Sequence, residues 1–196
     1  IFNNLSSTHR AILFMMGMVL LFAMLETTAK FLSQTYPVPL IVWFRYVTHF
    51  FLMLLLLGPR YGSRLIKTDN PKAQIIRALL LMGSTLLYFT ALSGLPLATA
   101  KSISFVSPLL VTIFALWFLK EHVSLGRWIA VVAGLLGVLL VISPSGKFDW
   151  YFGLPLTAAV CYSLYQIMTR RFSATEHPVT TLFYTGFVGS IVISLI

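Results

Sequence analysis

Seven apolar stretches, most of them close to the length that crosses a bilayer, constrain this chain more than any other feature. A spanning helix needs about 20 apolar residues. Such runs occur at Ala11–Ser33, Val38–Leu57, Ala73–Leu92, Pro96–Leu119, Trp128–Ile142, Trp150–Met168 and Pro178–Ile196. The fifth is short and borrows Arg127 and Ser143 at its ends. Turn formers separate them: Tyr36-Pro37-Val38-Pro39, Gly58-Pro59, Gly94-Leu95-Pro96 and Ser143-Pro144-Ser145-Gly146. Nothing left over is large enough for a soluble domain. With 58% hydrophobic and 10% charged residues, the chain cannot clothe a soluble surface, which takes roughly 25% charged residues. Disorder is excluded as well, since it needs low hydrophobicity. Ala11–Ser33 is too long for a secretory signal core and holds Glu26 and Lys30, so it reads as a span that is not cleaved. The expected fold is all-α and integral to the membrane, a polytopic helix bundle.

The formal charge of +9 raises the question of nucleic acid. The positions of the basic residues answer it. Alternate connections place Arg10, then Arg60, Arg64, Lys67, Lys72 and Arg77, then Lys120 and Arg127, then Arg170 and Arg171 on one side. Lys147 alone falls on the other, and Lys30, Arg45 and Lys101 lie within spans. Cytoplasmic loops retain Lys and Arg, so the N-terminus and the connection between the second and third spans are expected in the cytoplasm, with the chain crossing the cell membrane several times. The basic residues then act as topology determinants beside anionic lipid. The expected partners are membrane lipid and a small-molecule substrate, not nucleic acid; a homodimer is one assembly this reading allows.

Catalytic and cofactor motifs are missing from the sequence. There is no Walker loop to cradle a nucleotide, no HExxH and no Gly-x-Ser-x-Gly elbow. Four dispersed histidines make no metal spacing. The single cysteine, Cys161, cannot form an intrachain disulfide. No cofactor, metal or catalytic residue is expected.

An ionisable group at mid-span costs about 2.5–3.5 kcal/mol on the insertion scale, so each one needs a reason. Glu26 and Lys30 are four residues apart on one helix face, where they either neutralise each other or line a cavity. Arg45, Thr48 and His49 share a face of the second span. Arg45 keeps its proton, so it either clamps a neighbouring helix or recognises an anionic solute. In the fourth span Lys101, Ser104, Phe105, Pro108 and Thr112 fall on one stripe. Pro108 removes a helical hydrogen bond and frees the carbonyl of Ser104, which a membrane tolerates only against protein or a watery cavity. In the sixth span Tyr162, Tyr165, Gln166 and Thr169 make a polar-aromatic face. Ala130, Ala133, Gly134 and Gly137 read as close helix packing, and Glu121 as a loop partner of Lys120 or Arg127. The substrate-cavity candidates are Glu26, Lys30, Arg45, Tyr88, Lys101, Ser104, Pro108 and Tyr162.

A faint internal repeat organises these spans. Ala23–Lys30 lies on Ala159–Gln166 at an offset of 136 residues, and Pro39 and Arg45 meet Pro178 and Tyr184 at 139. The first and sixth spans then correspond, as do the second and seventh. A unit of five spans is odd, so its second copy enters the membrane upside down. The chain opens at Ile1 rather than Met, and Ile196 falls within an apolar run; a fragment of a longer helical protein is expected.

The order of short motifs resembles the EamA-like branch of the drug/metabolite transporter superfamily. The carrying residues are Phe44-Arg45, Ala91-Leu92, Leu95-Pro96-Leu97-Ala98-Thr99-Ala100, Phe105-Val106-Ser107-Pro108-Leu109, Leu119-Lys120-Glu121-His122-Val123, Arg127-Trp128 and Gly134 with Gly137-Val138-Leu139-Leu140. That resemblance implies ten helices in two inverted five-helix repeats. One complete repeat would occupy residues 11–143, and residues 150–196 would begin a truncated second. The function it implies is secondary transport of a small polar metabolite or drug-like solute by alternating access. The rivals are an intramembrane enzyme, a seven-helix receptor and a channel. The first lacks a nucleophile–base or metal set, and the second conflicts with a cytoplasmic N-terminus and a last span without lysine.

The charge bias makes a direct prediction in a Cys161→Ser background. A cysteine at Ser63 should react with an impermeant maleimide only from the cytoplasmic side, and one at Ser145 only from outside. The opposite labelling pattern would reverse the orientation.

Overall fold

Proline sets where three of the helices begin. Its fixed φ suits a first turn in which its missing N–H is not needed. The computed structural model describes residues 7–119, 124–141 and 150–196. Among them the regular structure is helical: α1 (Ser7–Leu32), α2 (Val38–Tyr61), α3 (Pro71–Gly94), α4 (Leu97–Ser104), α5 (Ser107–Leu119), α6 (Leu125–Val141), α7 (Gly153–Phe172) and α8 (Pro178–Ile193). Pro37 and Pro39 open α2, Pro71 opens α3 and Pro178 opens α8. His177 caps α8 by accepting the Val179 N–H on Nδ1 at 3.3 Å.

Two expected breaks fall elsewhere. Gly58-Pro59 does not end α2, which runs on to Tyr61 because a proline in the last turn forfeits one bond only. The turn comes at Gly62, whose φ of 50° suits glycine and whose N–H returns to the Gly58 carbonyl. The fourth span, expected as one kinked helix, is two helices parted at Phe105-Val106. There the Leu109 and Leu110 N–H groups both reach the Val106 carbonyl at 3.0 Å. The stripe of Lys101, Ser104, Phe105, Pro108 and Thr112 is therefore split: Lys101 and Ser104 lie on α4, Pro108 and Thr112 on α5. The Glu121 pairing, Lys147 and Ser145 lie outside the described residues, as does the Arg127 side chain.

Among the described residues, four segments are long and apolar enough to cross a membrane unaided: Thr8–Leu32, Val38–Leu65, Pro71–Gly94 and Leu97–Leu119. α6, α7 and α8 are shorter or more polar. α7, at 20 residues, still reaches about 30 Å, and its Ser163 is fully buried in the bundle. The protein is an all-α polytopic membrane bundle.

α3 is the centre of the packing. It lies against α7 and α8, while α2 packs on α8, α5 on α7, and α6 on α4 and α5. Their core is built from Val42, Tyr46, Met82, Phe89, Leu92, Ala100 and Ile103. α1 stands at the edge and meets α3 and α4 through Leu25 and Ala29. Small residues bring α2 and α8 together. A Cβ on Gly189 would stand 2.2 Å from the Tyr46 ring, and one on Gly186 would lie 3.2 Å from the Phe50 backbone. On α6, by contrast, Gly134 approaches Leu109 while Ala130, Ala133 and Gly137 face outward. The expected close packing through α6 is thus carried by α8 instead.

Overpacking a tight contact costs about 1–3 kcal/mol. Gly189→Val should lower the detergent-solubilised melting temperature, because the buried Tyr46 ring has nowhere to go. Gly17→Val, at a position with nothing within 4 Å, should leave it within error.

Candidate functional site

The last carbonyls of a helix have no intrahelical partner and attract cations. α3 ends at Gly94 ahead of Pro96, and α1 delivers Lys30 to that end. The Lys30 ammonium donates to the Leu92 carbonyl at 2.6 Å and to the Leu95 carbonyl at 3.0 Å. One helical turn deeper, Glu26 accepts from Lys101 of α4 at 2.5 Å. The expected Glu26–Lys30 pair is thus replaced. The two side chains do share a face of α1, but each is taken by a different neighbour. The Glu26 carboxylate is 14% exposed and the Lys101 side chain 44%, so the pair is reached from one side.

Tyr88 of α3 sits one turn before Leu92, whose carbonyl holds Lys30. Its hydroxyl is closed off from solvent and has no hydrogen-bond partner among the described residues. Glu26, Lys30, Lys101 and Tyr88 therefore form one cluster where α1, α3 and α4 meet. The other candidates lie apart from it. Arg45 donates to Thr85 Oγ1 of α3 at 3.3 Å and lies 5.6 Å from the Phe89 ring centre. Thr48, expected on the same face, is exposed. Ser104 donates to its own helix at the Ala100 carbonyl, and Pro108 is exposed. Beside Pro108, the Ser107 carbonyl accepts from the buried Ser163 of α7 at 3.1 Å. Tyr162 stacks on Tyr165 with centroids 6.0 Å apart.

That stack leads to a second polar centre absent from the expected candidates. Arg77, counted above as a loop charge, lies inside α3 and is 1% exposed. Its guanidinium lies 5.2 Å from the Tyr165 ring centre. Nε donates to Gln74 Oε1 at 3.2 Å and Nη1 to Thr169 Oγ1 at 3.5 Å. Nη2 donates to Thr185 Oγ1 at 2.9 Å and to the Thr181 carbonyl. The basic bias loses one of its ten members by this placement. The signal was present in the sequence: Arg77 falls within the run Ala73–Leu92, and Tyr165 with Thr169 and Thr181 with Thr185 each sit one turn apart. Among the described residues no three His, Cys, Asp or Glu side chains are placed to hold a metal ion.

Known proteins agree on where this architecture belongs. The model of the EamA-like transporter family matches residues 9–143. The chain is 32% identical over 137 residues to an S-adenosylmethionine uptake transporter of Rickettsia bellii, covering 67% of this chain and 46% of that protein. It is 30% identical over 149 residues to a riboflavin transporter of Brucella anthropi, covering 76% and 52%. A pseudopaline exporter of Pseudomonas aeruginosa is 27% identical over 175 residues, covering 87% and 60%. The chain thus spans about half the length of the first of these relatives.

Exposed and half-exposed ion pairs are worth about 0.2–1 kcal/mol. A double-mutant cycle of Glu26→Gln and Lys101→Met, read by thermal melting, should give a coupling near the top of that range. Glu26→Gln with Lys30→Met should be additive. Coupling in the second cycle and none in the first would restore the i,i+4 pair.

Proposed function

The chain belongs to the EamA-like transporter family, and from that premise we propose that it carries part of the solute pathway of a secondary transporter for small polar metabolites. The ion pair Glu26–Lys101, with the Tyr88 hydroxyl that has no partner among the described residues, is the observation that carries this reading. A pair of opposite charges within reach of water can be exchanged for a solute's own charges without leaving either side chain unpaired. Lys30 adds positive charge beside the pair with no second carboxylate in any span, which favours a solute bearing a carboxylate or other negative group. The relatives named for S-adenosylmethionine, riboflavin and pseudopaline support small polar metabolites as the class. Energy would come from an ion gradient or from solute exchange.

Alternating access between two inverted five-helix repeats is the mechanism this reading takes, with residues 11–143 as the first repeat and 150–196 opening the second. Two packing facts support it. α2 and α8, which correspond in the repeat, lie against each other, as elements beside a pseudo-two-fold axis would. α1 corresponds to α7, yet α7 is gripped by α3 and α5 while the apolar side of α1 from Ile12 to Phe22 is exposed. In the repeat, further helices would cover that side of α1. The proposed setting is the cytoplasmic membrane, with the N-terminus and the α2–α3 connection inside.

The test is uptake and efflux of a metabolite panel in vesicles carrying the natural full-length protein. Lys101→Met should cut transport of the preferred solute about tenfold or more, the factor for roughly 1.4 kcal/mol of lost interaction. Transport is read per molecule of inserted protein, because losing Lys101 leaves the Glu26 carboxylate without its partner and lowers the level as well. Undiminished transport per molecule would take Lys101 out of the pathway.

A further inference from the structure

We infer that Arg77 is the latch of the bundle end where α2 joins α3 and α7 joins α8, and that this end opens only when Arg77 releases α7 and α8. The inference rests on the alternating-access reading above and adds the residue that holds one end shut. An arginine keeps its proton in any surroundings a protein provides, and inside a membrane it must be given acceptors. Apart from Gln74, those of Arg77 come from other helices: Thr169 on α7, Thr181 and Thr185 on α8. Its planar fork grips two helices at once with five fixed donors, where a lysine offers three on a single nitrogen.

The grip is built to be undone. All four acceptors are neutral, so release strands no second charge, as parting from a buried carboxylate would. Thr169 and Thr185 also donate to the carbonyls four residues back, Tyr165 and Thr181, at 2.8 and 2.9 Å. Both hydroxyls stay hydrogen-bonded after Arg77 has gone. The freed guanidinium then needs only water.

A second layer of bonds ties the α2–α3 connection to α8 and to the α7–α8 connection. Thr68 Oγ1 donates to the buried Glu176 at 2.7 Å, Thr180 to the Arg64 carbonyl at 2.8 Å, and Tyr184 to the Ile66 carbonyl at 3.1 Å. A cavity of about 210 Å³ lined by Arg64, Lys67, Asp69, Glu176 and Thr180 lies at this layer, roomy enough for several waters at about 30 Å³ each. Water therefore has a place to wait at the connections, one residue along α8 from Thr181.

The experiment uses the natural full-length protein with Cys161→Ser. Ala78→Cys, fully buried next to Arg77, reports this end; Ser93→Cys, near the far end of α3, reports the other. In Arg77→Gln, maleimide labelling of Ala78→Cys should speed by about fivefold or more, within the usual range of conformational coupling, while labelling of Ser93→Cys slows. Both reporters speeding up together with a lower melting temperature would mean that Arg77 only stabilises, and no change at either would equally overturn the latch. A second arm keeps Arg77. Gln74 Nε2 and Thr181 Oγ1 are 3.4 Å apart, so Gln74→Cys with Thr181→Cys, bridged by a short bis-methanethiosulfonate that forms a disulfide with each thiol and expels sulfinate, should stop transport, and reduction with dithiothreitol should restore it. Full transport with the cross-link in place would overturn the latch. Failure to move any solute before cross-linking would count against the transport reading, whereas the labelling arm judges the latch without it.

Discussion

A bilayer offers a buried charge no water, so each ionised side chain within this bundle has to be met by another helix. The arrangement of α3 follows from that requirement. Arg77 near its start is held by α7 and α8, and the bare carbonyls at its end are held by Lys30 of α1. Between them Thr85 takes Arg45 of α2, and Ser84 donates to the Ala158 carbonyl of α7 at 3.0 Å. α3 is thus fastened along its length by polar contacts that hydrocarbon makes obligatory, and the apolar core of Met82, Phe89 and Leu92 fills the space between.

The two ends of α3 are fastened differently. At the Gly94 end an acid and two lysines meet where α1, α3 and α4 converge, and opposite charges there can be traded for those of a solute. At the Pro71 end one cation is shared among neutral acceptors on α7 and α8. The first arrangement suits selection of a polar solute. The second suits a contact made and broken repeatedly, since it strands no partner charge. The proposed transport reading calls for both properties.

Helical, membrane-embedded character was legible because apolar run length has few other meanings. Charge partners were not. Glu26 and Lys30 do share a face, as their spacing of four requires, but a face says nothing of which helix approaches it. Lys101 is 75 residues from Glu26, and no local rule spans that distance. Arg77 was misplaced for another reason: a basic residue near a span boundary satisfies the loop rule and the buried reading equally well, and only the hydroxyls of α7 and α8 decide. The split of the fourth span was half visible, since Pro108 announces a break without saying that Phe105-Val106 takes it. Gly186 and Gly189 escaped notice because their meaning lies in the Tyr46 and Phe50 they touch.

The central claim, that a neighbouring helix rather than water holds the buried arginine, has a direct test. Dipolar recoupling between ¹⁵N in the arginine side chains and ¹³C in the threonine carbonyls, on the natural full-length protein in lipid bilayers, reads the distance from Arg77 Nη to the Thr181 carbonyl carbon. The difference from Arg77→Lys isolates that pair. Ordinary hydrogen-bond geometry places the two nuclei within about 4 Å, a separation at which recoupling is weak but measurable. That is the result the account predicts; no recoupling in the difference signal would contradict it.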